Sequence, residues 1–137
     1  MKSTKKKSLS SSRNAGQWTE AKFRSFVISA LRAASRRWPV KWAVLKAALV
    51  GKTVNKKTGK IAQHYKCNAC NSNFPATDVV VDHIHPVVDT IKGFTTWDEY
   101  VERMFVEADG LQVLCKPCHK DKTEIERKER KNVHDEN

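Results

Sequence analysis

Leu111-Gln-Val-Leu-Cys-Lys-Pro-Cys-His-Lys-Asp-Lys-Thr123 is the stretch on which the fold turns. Leu111 to Leu114 reads as a short strand. Cys115-Lys-Pro-Cys118 follows, a two-residue knuckle that can deliver two thiolates from one tight turn. From Pro117 a helix is expected to run to about Lys131, its alternating charges mostly solvated. His119 stands directly after the last cysteine, at the helix start.

The remaining two cysteines form a matching knuckle, Cys67-Asn-Ala-Cys70, separated from the first by 44 residues. Zinc takes four soft ligands in a tetrahedron, so Cys67, Cys70, Cys115 and Cys118 are expected to hold one structural Zn²⁺. Disulfides are the main rival, and a cytosolic setting argues against them. Redox pairs would come with a thioredoxin-like βαβ pattern, which the sequence lacks. A variant set of three cysteines and His119 is the other way to complete a zinc site. Four thiolates close the coordination sphere, so such an ion staples the fold and leaves no position for water. The staple ties the strand after Tyr65 to the start of the terminal helix.

Outward from the knuckles, Asp78 to His83 contains Val79, Val80 and Val81, a β-branched run typical of a buried strand. Pro86 opens an insert in which Thr96-Trp-Asp-Glu99 has capping-box spacing, so Trp97 to about Glu107 should be helical. Lys52 to Lys66 reads as a hairpin, with a turn at Asn55-Lys-Lys-Thr-Gly59 and a strand from Ile61 to Tyr65. Further upstream Phe23, Val27, Ala30, Leu31 and Ala34 recur at helical spacing, which predicts a helix over 19–37. Its other face carries Lys22, Arg24, Arg32 and Arg36. Pro39 breaks it and opens a second helix with Trp42, Val44, Leu45, Ala48 and Leu49 on its apolar side. The four tryptophans are expected to anchor a small core. Met1 to Gln17 reads as a disordered basic arm.

With 137 residues the chain fits one compact domain plus tails. The reading divides it into the arm (1–17), a basic helical region and hairpin (18–66), a cysteine-bearing core (67–131) and a tail (132–137), which leaves His134 idle. The first residues are rich in Lys and Ser with no apolar stretch behind them, so no secretory signal is expected and a cytoplasmic protein is the default. No run approaches the roughly 18 apolar residues of a membrane span. The net charge of +11 is unevenly spread: residues 1–66 hold 17 Lys and Arg against one acid, Glu20, whereas residues 67–137 hold 9 bases and 14 acids. A half that basic attracts polyanions, because each neutralised phosphate releases condensed counterions.

Read together, Val81-Asp-His-Ile-His-Pro86 and Leu111 to Thr123 resemble the HNH nuclease family, especially its small zinc-stapled members from bacteriophages. The resemblance covers Cys67 to Thr123. It implies an α+β protein in which a zinc-stapled ββα-metal core follows the basic helical N-terminal region. It also implies a metal-dependent DNA endonuclease whose products carry 5′-phosphate and 3′-hydroxyl ends. Asp82 and His119 would hold one divalent cation, Mg²⁺ or Mn²⁺, and His83 would be the general base. A carboxylate and one imidazole leave positions for waters and a phosphate oxygen, and a histidine outside the metal shell can accept a proton. His85 lies on the same strand face as His83 and competes for the base role, while Asp82 and His83 alternate in direction on an ideal strand.

Lys5, Lys6, Lys7, Arg32, Arg36, Lys120 and Lys122 are the expected phosphate contacts, with Asp121 and Glu124 limiting the terminal helix's own attraction. Gly110 departs from the pattern, standing where the family's asparagine helps hold the loop of the general base; Asp109 or Gln112 could take over that bond. His64 is expected to pack rather than ligate. If the chain is phage-encoded, its setting is the bacterial host cytoplasm and its partners are DNA and other phage DNA-processing or packaging proteins. The rivals are a non-catalytic zinc module that only binds nucleic acid and an adaptor in a packaging machine. RNA remains a possible substrate, and the sequence does not specify oligomeric state.

Overall fold

The computed structural model describes residues 11–136. The chain is a mixed α and β protein with four α-helices and three small sheets among the described residues, and it divides into two units, Met1–Arg37 and Trp38–Asn137. The division falls between the two N-terminal helices, so the second helix and the hairpin belong with the cysteine-bearing part.

In the first unit, strand β1 (Ser11–Arg13) pairs antiparallel with β2 (Trp18–Thr19). The sequence reading placed this stretch in an unstructured arm. What returns the chain is Asn14-Ala-Gly16, whose residues have φ of 54°, 53° and 81°. The left-handed region is one that Asn and Gly enter readily. Lys5, Lys6 and Lys7 lie outside the described residues. Helix α1 (Glu20–Ser35) starts where Thr19 Oγ1 accepts the Lys22 N–H at 3.1 Å. Trp18 packs on Phe26 with ring centroids 5.1 Å apart, and the Arg13 guanidinium lies 4.1 Å over the Phe23 ring. Glu20, the sole acid of residues 1–66, pairs with Arg13 at 3.0 Å. Hydrogen bonds from Ser12 and Arg13 hold its carboxyl below the usual carboxylate range.

The second unit opens with α2 (Pro39–Ala47), its proline placed at the helix start where no N–H is needed. A three-stranded antiparallel sheet follows, β3 (Leu49–Val54), β4 (Ile61–Lys66) and β5 (Asn73–Pro75), with β4 central. The two cysteine knuckles flank a second antiparallel pair, β6 (Val79–His83) and β7 (Leu111–Cys115), in register from Val79 opposite Cys115 to His83 opposite Leu111. Between them stands α3 (Trp97–Met104), and α4 (Lys116–Glu136) closes the chain. The expected capping box is present in part: Thr96 Oγ1 accepts the Glu99 N–H at 3.1 Å, while the Glu99 carboxylate turns to the Thr95 hydroxyl.

Tyr65, Val79 and Val113 form the buried centre, packed by Val44, Leu45, Phe74 and Val81 from α2 and the sheets. Beside it Cys67, Leu114 and Cys115 make a second cluster. Trp38 donates its indole N–H to the Val106 carbonyl at 2.7 Å, and Phe94, Trp97 and Tyr100 stack edge to face in the insert. Trp42 departs from the expected pattern and is 65% exposed. His64 is buried, with Nδ1 2.9 Å from the Ala62 carbonyl, in keeping with a packing role.

Three helix ends differ from those the sequence predicts. α2 stops at Ala47, so Leu49, expected on its apolar side, instead begins β3. α3 stops at Met104 rather than near Glu107, because Phe105 leaves the helical region with ψ of 59°. α4 continues to Glu136 and takes in the presumed tail with His134, helped by an ion pair at helical spacing between Glu124 and Arg127. Among the described residues no helix is long and apolar enough to cross a membrane.

Gly110 sits where any side chain would collide: a Cβ there would lie 2.9 Å from Val106 Cβ and from Val106 Cγ2. Gly110→Asn is therefore expected to destabilise the protein by roughly 1–3 kcal/mol, the usual cost of overpacking. Adding Val106→Ala should recover part of that loss, and denaturant melts of the single and double variants measure both effects.

Candidate functional site

The four cysteine sulfurs all lie within 4.8 Å of one another, with Cys70 and Cys115 at 3.9 Å. Four thiolates about 2.3 Å from a tetrahedral Zn²⁺ stand about 3.8 Å apart, so the donor set fits such an ion. All four thiols are free of disulfides. The first knuckle is shaped by its own backbone. Cys67 Sγ accepts the N–H groups of Ala69 and Cys70, at 3.4 and 3.5 Å. Asn71 turns left-handed (φ 64°), which lets its N–H bond the Cys67 carbonyl at 2.9 Å.

Burial pushes the Cys67 thiol up, but the N–H groups of Cys70, Cys115 and Ala69 outweigh it and bring it down to about 6. Cys118 goes the other way, to about 12, first through its hydrogen bond to Cys115 and then through burial. Burial also raises Cys115. Without a metal the cluster thus concentrates negative charge on Cys67, and a divalent cation is what would release the protons of Cys115 and Cys118.

A second constellation lies where β6 ends and α4 begins. Asp82 Oδ1 is 3.4 Å from His119 Nε2. Two ligand atoms at about 2.1 Å from one cation, spanning roughly a right to a tetrahedral angle, stand about 3.0–3.4 Å apart, so this pair can share a divalent ion. Asp82 is 12% exposed and His119 41%, which gives the pair an open side. Asp82 Oδ2 is held differently. Gln112, directly opposite in register, donates Nε2–H to it at 3.2 Å, and Lys122 Nζ lies 3.2 Å away. Burial works against the Lys122 charge, but Glu126 and Asp82 overcome it and raise its pKa.

His83 directs its ring towards the end of α3. Its Nε2 lies 2.7 Å from the Met104 carbonyl, which can only accept, so Nε2 carries the proton. In the neutral ring Nδ1 is then the free acceptor. The strand's alternation is visible here: Asp82 meets α4, His83 meets the residue that ends α3, and β6 stops at His83. The loop beyond is held by backbone, since Ile84 donates its N–H to the Gly110 carbonyl at 2.9 Å. Neither candidate substitute for the missing asparagine supplies that bond; Gln112 is directed at Asp82 and Asp109 is exposed.

His85 is exposed and lines a cleft of about 580 Å³ along α4. Asp89, Asp121, Glu126 and Glu129 line the cleft together with Arg103 and Lys122, and Asp82, His83 and His119 do not border it. Of the expected phosphate contacts, Arg32, Arg36 and Lys120 are exposed. Lys122, by contrast, is half-buried and engaged with Asp82, Glu126 and the His83 carbonyl at 3.0 Å, because its stem packs inward from α4. The sequence did not signal Met104 or Asn68. Met104 acts through its carbonyl, and Asn68 through its amide, which donates to Gln112 at 2.9 Å.

Zinc uptake by the metal-free protein at pH 7 should release the thiol protons of Cys115 and Cys118, and the affinity should fall as pH is lowered through about 6, where Cys67 becomes protonated. Calorimetric titration in buffers of different ionisation enthalpy counts the protons; uptake with no proton release would contradict the assignment.

Compared with protein-family models, curated proteins and solved structures, the chain has no match in any of the three.

Proposed function

We propose that the chain is a metal-dependent DNA endonuclease of the HNH type, with a structural zinc on its four cysteines. The reading is carried by the approach of Asp82 Oδ1 to His119 Nε2 at 3.4 Å. Supporting it is the order of the elements: β6 brings the carboxylate and the histidine base, β7 pairs with β6, and α4 brings the second ligand. That order is what a ββα-metal core uses. The basic N-terminal half, 17 Lys and Arg against one acid, supports a polyanionic substrate.

A divalent cation at Asp82 and His119 would neutralise charge building on the phosphoryl and leaving oxygens. His83 takes the proton of the attacking water at Nδ1, the nitrogen left free by the bond to Met104. Protonation keeps that bond, because Nε2 remains a donor, so the ring need not turn during the step. Lys122 holds a positive charge beside Asp82 Oδ2 and fixes the His83 backbone through its carbonyl.

Lys122 also favours a second reading. Its ammonium lies 3.2 Å from Asp82 Oδ2, a pairing that would suit a module that binds nucleic acid without cutting it. Conversion of supercoiled plasmid to nicked or linear forms in Mg²⁺, Mn²⁺ or EDTA separates the two. Metal-dependent cutting is expected, with His83→Ala and Asp82→Ala each reducing the rate by about 100-fold or more while zinc content and melting are retained. Binding without cutting in every cation would favour the module.

A further inference from the structure

The two carboxylate oxygens of Asp82 face different neighbours. Oδ1 looks to His119, whereas Oδ2 accepts from Gln112 and lies against Lys122. A carboxylate so divided offers one oxygen to a cation and keeps the other for its donors. Bidentate binding would occupy a further coordination position, one otherwise open to water or a phosphate oxygen.

The sense of the Gln112 amide is fixed by chemistry. A carboxylate only accepts, so the end facing Asp82 must be the NH₂ group. Its oxygen then faces Asn68, which must present its own NH₂, at 2.9 Å. Asn68 is the residue after Cys67, inside the first knuckle, and its backbone N–H bonds the Val113 carbonyl at 2.8 Å. A continuous run of hydrogen bonds therefore leads from the cysteine knuckle to the carboxylate.

We infer that Gln112 is a positioning residue for the cation site: anchored to the zinc knuckle through Asn68, it holds Asp82 as a one-oxygen ligand. This rests on the proposed cation at Asp82 and His119. The zinc staple then does more than fold the chain, because its knuckle orients a ligand of the other metal. Second-shell hydrogen bonds of this kind commonly change metal affinity by about 10–100-fold.

The test is Mn²⁺ titration of the zinc-loaded full chain, followed by electron paramagnetic resonance of free Mn²⁺, with zinc content and melting temperature recorded for every variant. Gln112→Met keeps the side-chain length and removes both hydrogen bonds. It should weaken Mn²⁺ binding about tenfold at unchanged zinc content. Asn68→Ala, at an exposed position, should weaken it severalfold and add little when combined with Gln112→Met. Should Gln112→Met fail to fold, Asn68→Ala carries the test alone. Wild-type Mn²⁺ affinity in a folded, zinc-loaded variant would overturn the role of Gln112 and leave the site standing. If wild type shows no Mn²⁺ binding that depends on Asp82, the site itself is refuted, and this inference falls with it.

Discussion

Four thiols brought within 4.8 Å of one another repel as soon as more than one loses its proton, and burial of Cys67 and Cys115 makes each charge harder to hold. A soft divalent cation would resolve both costs at once, and the elements of the larger unit that carry the four cysteines meet at this cluster. The knuckle at Cys67 ends β4, and the knuckle at Cys115 ends β7 and starts α4. Joining them sets β6 and β7 beside the first turn of α4. The hydrophobic clusters around Tyr65 and Leu114 are small, so a metal clamp on the four cysteines would take over part of what a larger core does.

The placing of Asp82 and His119 follows from that clamp. Cys118 and His119 are consecutive, so fixing the sulfur fixes the imidazole within a few ångströms. β6 is registered against β7 by five residue pairs, so fixing Cys115 opposite Val79 fixes Asp82 opposite Gln112. His83 is supported separately. His83 depends on the Met104 carbonyl, which is free because α3 ends there, and α3 itself is anchored by Arg103 reaching the Pro86 carbonyl at 2.6 Å. The insert between the strands thus acts as a buttress for the histidine ring.

Much of this was legible in the sequence, for identifiable reasons. The cysteine spacing, the β-branched run before Asp82 and the capping residue Thr96 are local signals, and the corresponding elements start where they predict. The errors arise where tertiary contacts decide. Trp42 has helical spacing with Val44 and Leu45, yet it stays exposed because the small core is filled by its neighbours. Lys122 looked like a phosphate ligand from its charge alone, and only the folded helix turns it onto Asp82 and Glu126. The partners of His83 and Gln112 could not be read, since a backbone carbonyl and a knuckle amide carry no motif. Gly110, which stands where the HNH pattern has asparagine, lies where Val106 leaves no room for a Cβ.

We propose that one stapled frame presents two different metal sites, one closed and one open. Anomalous diffraction from crystals soaked in Mn²⁺, recorded at the zinc and manganese edges, tests it most directly. A zinc peak among Cys67, Cys70, Cys115 and Cys118, and a manganese peak between Asp82 Oδ1 and His119 Nε2, is the predicted result. Zinc at the cysteines with no manganese near Asp82, and the Lys122 ammonium still against its carboxylate, would contradict it.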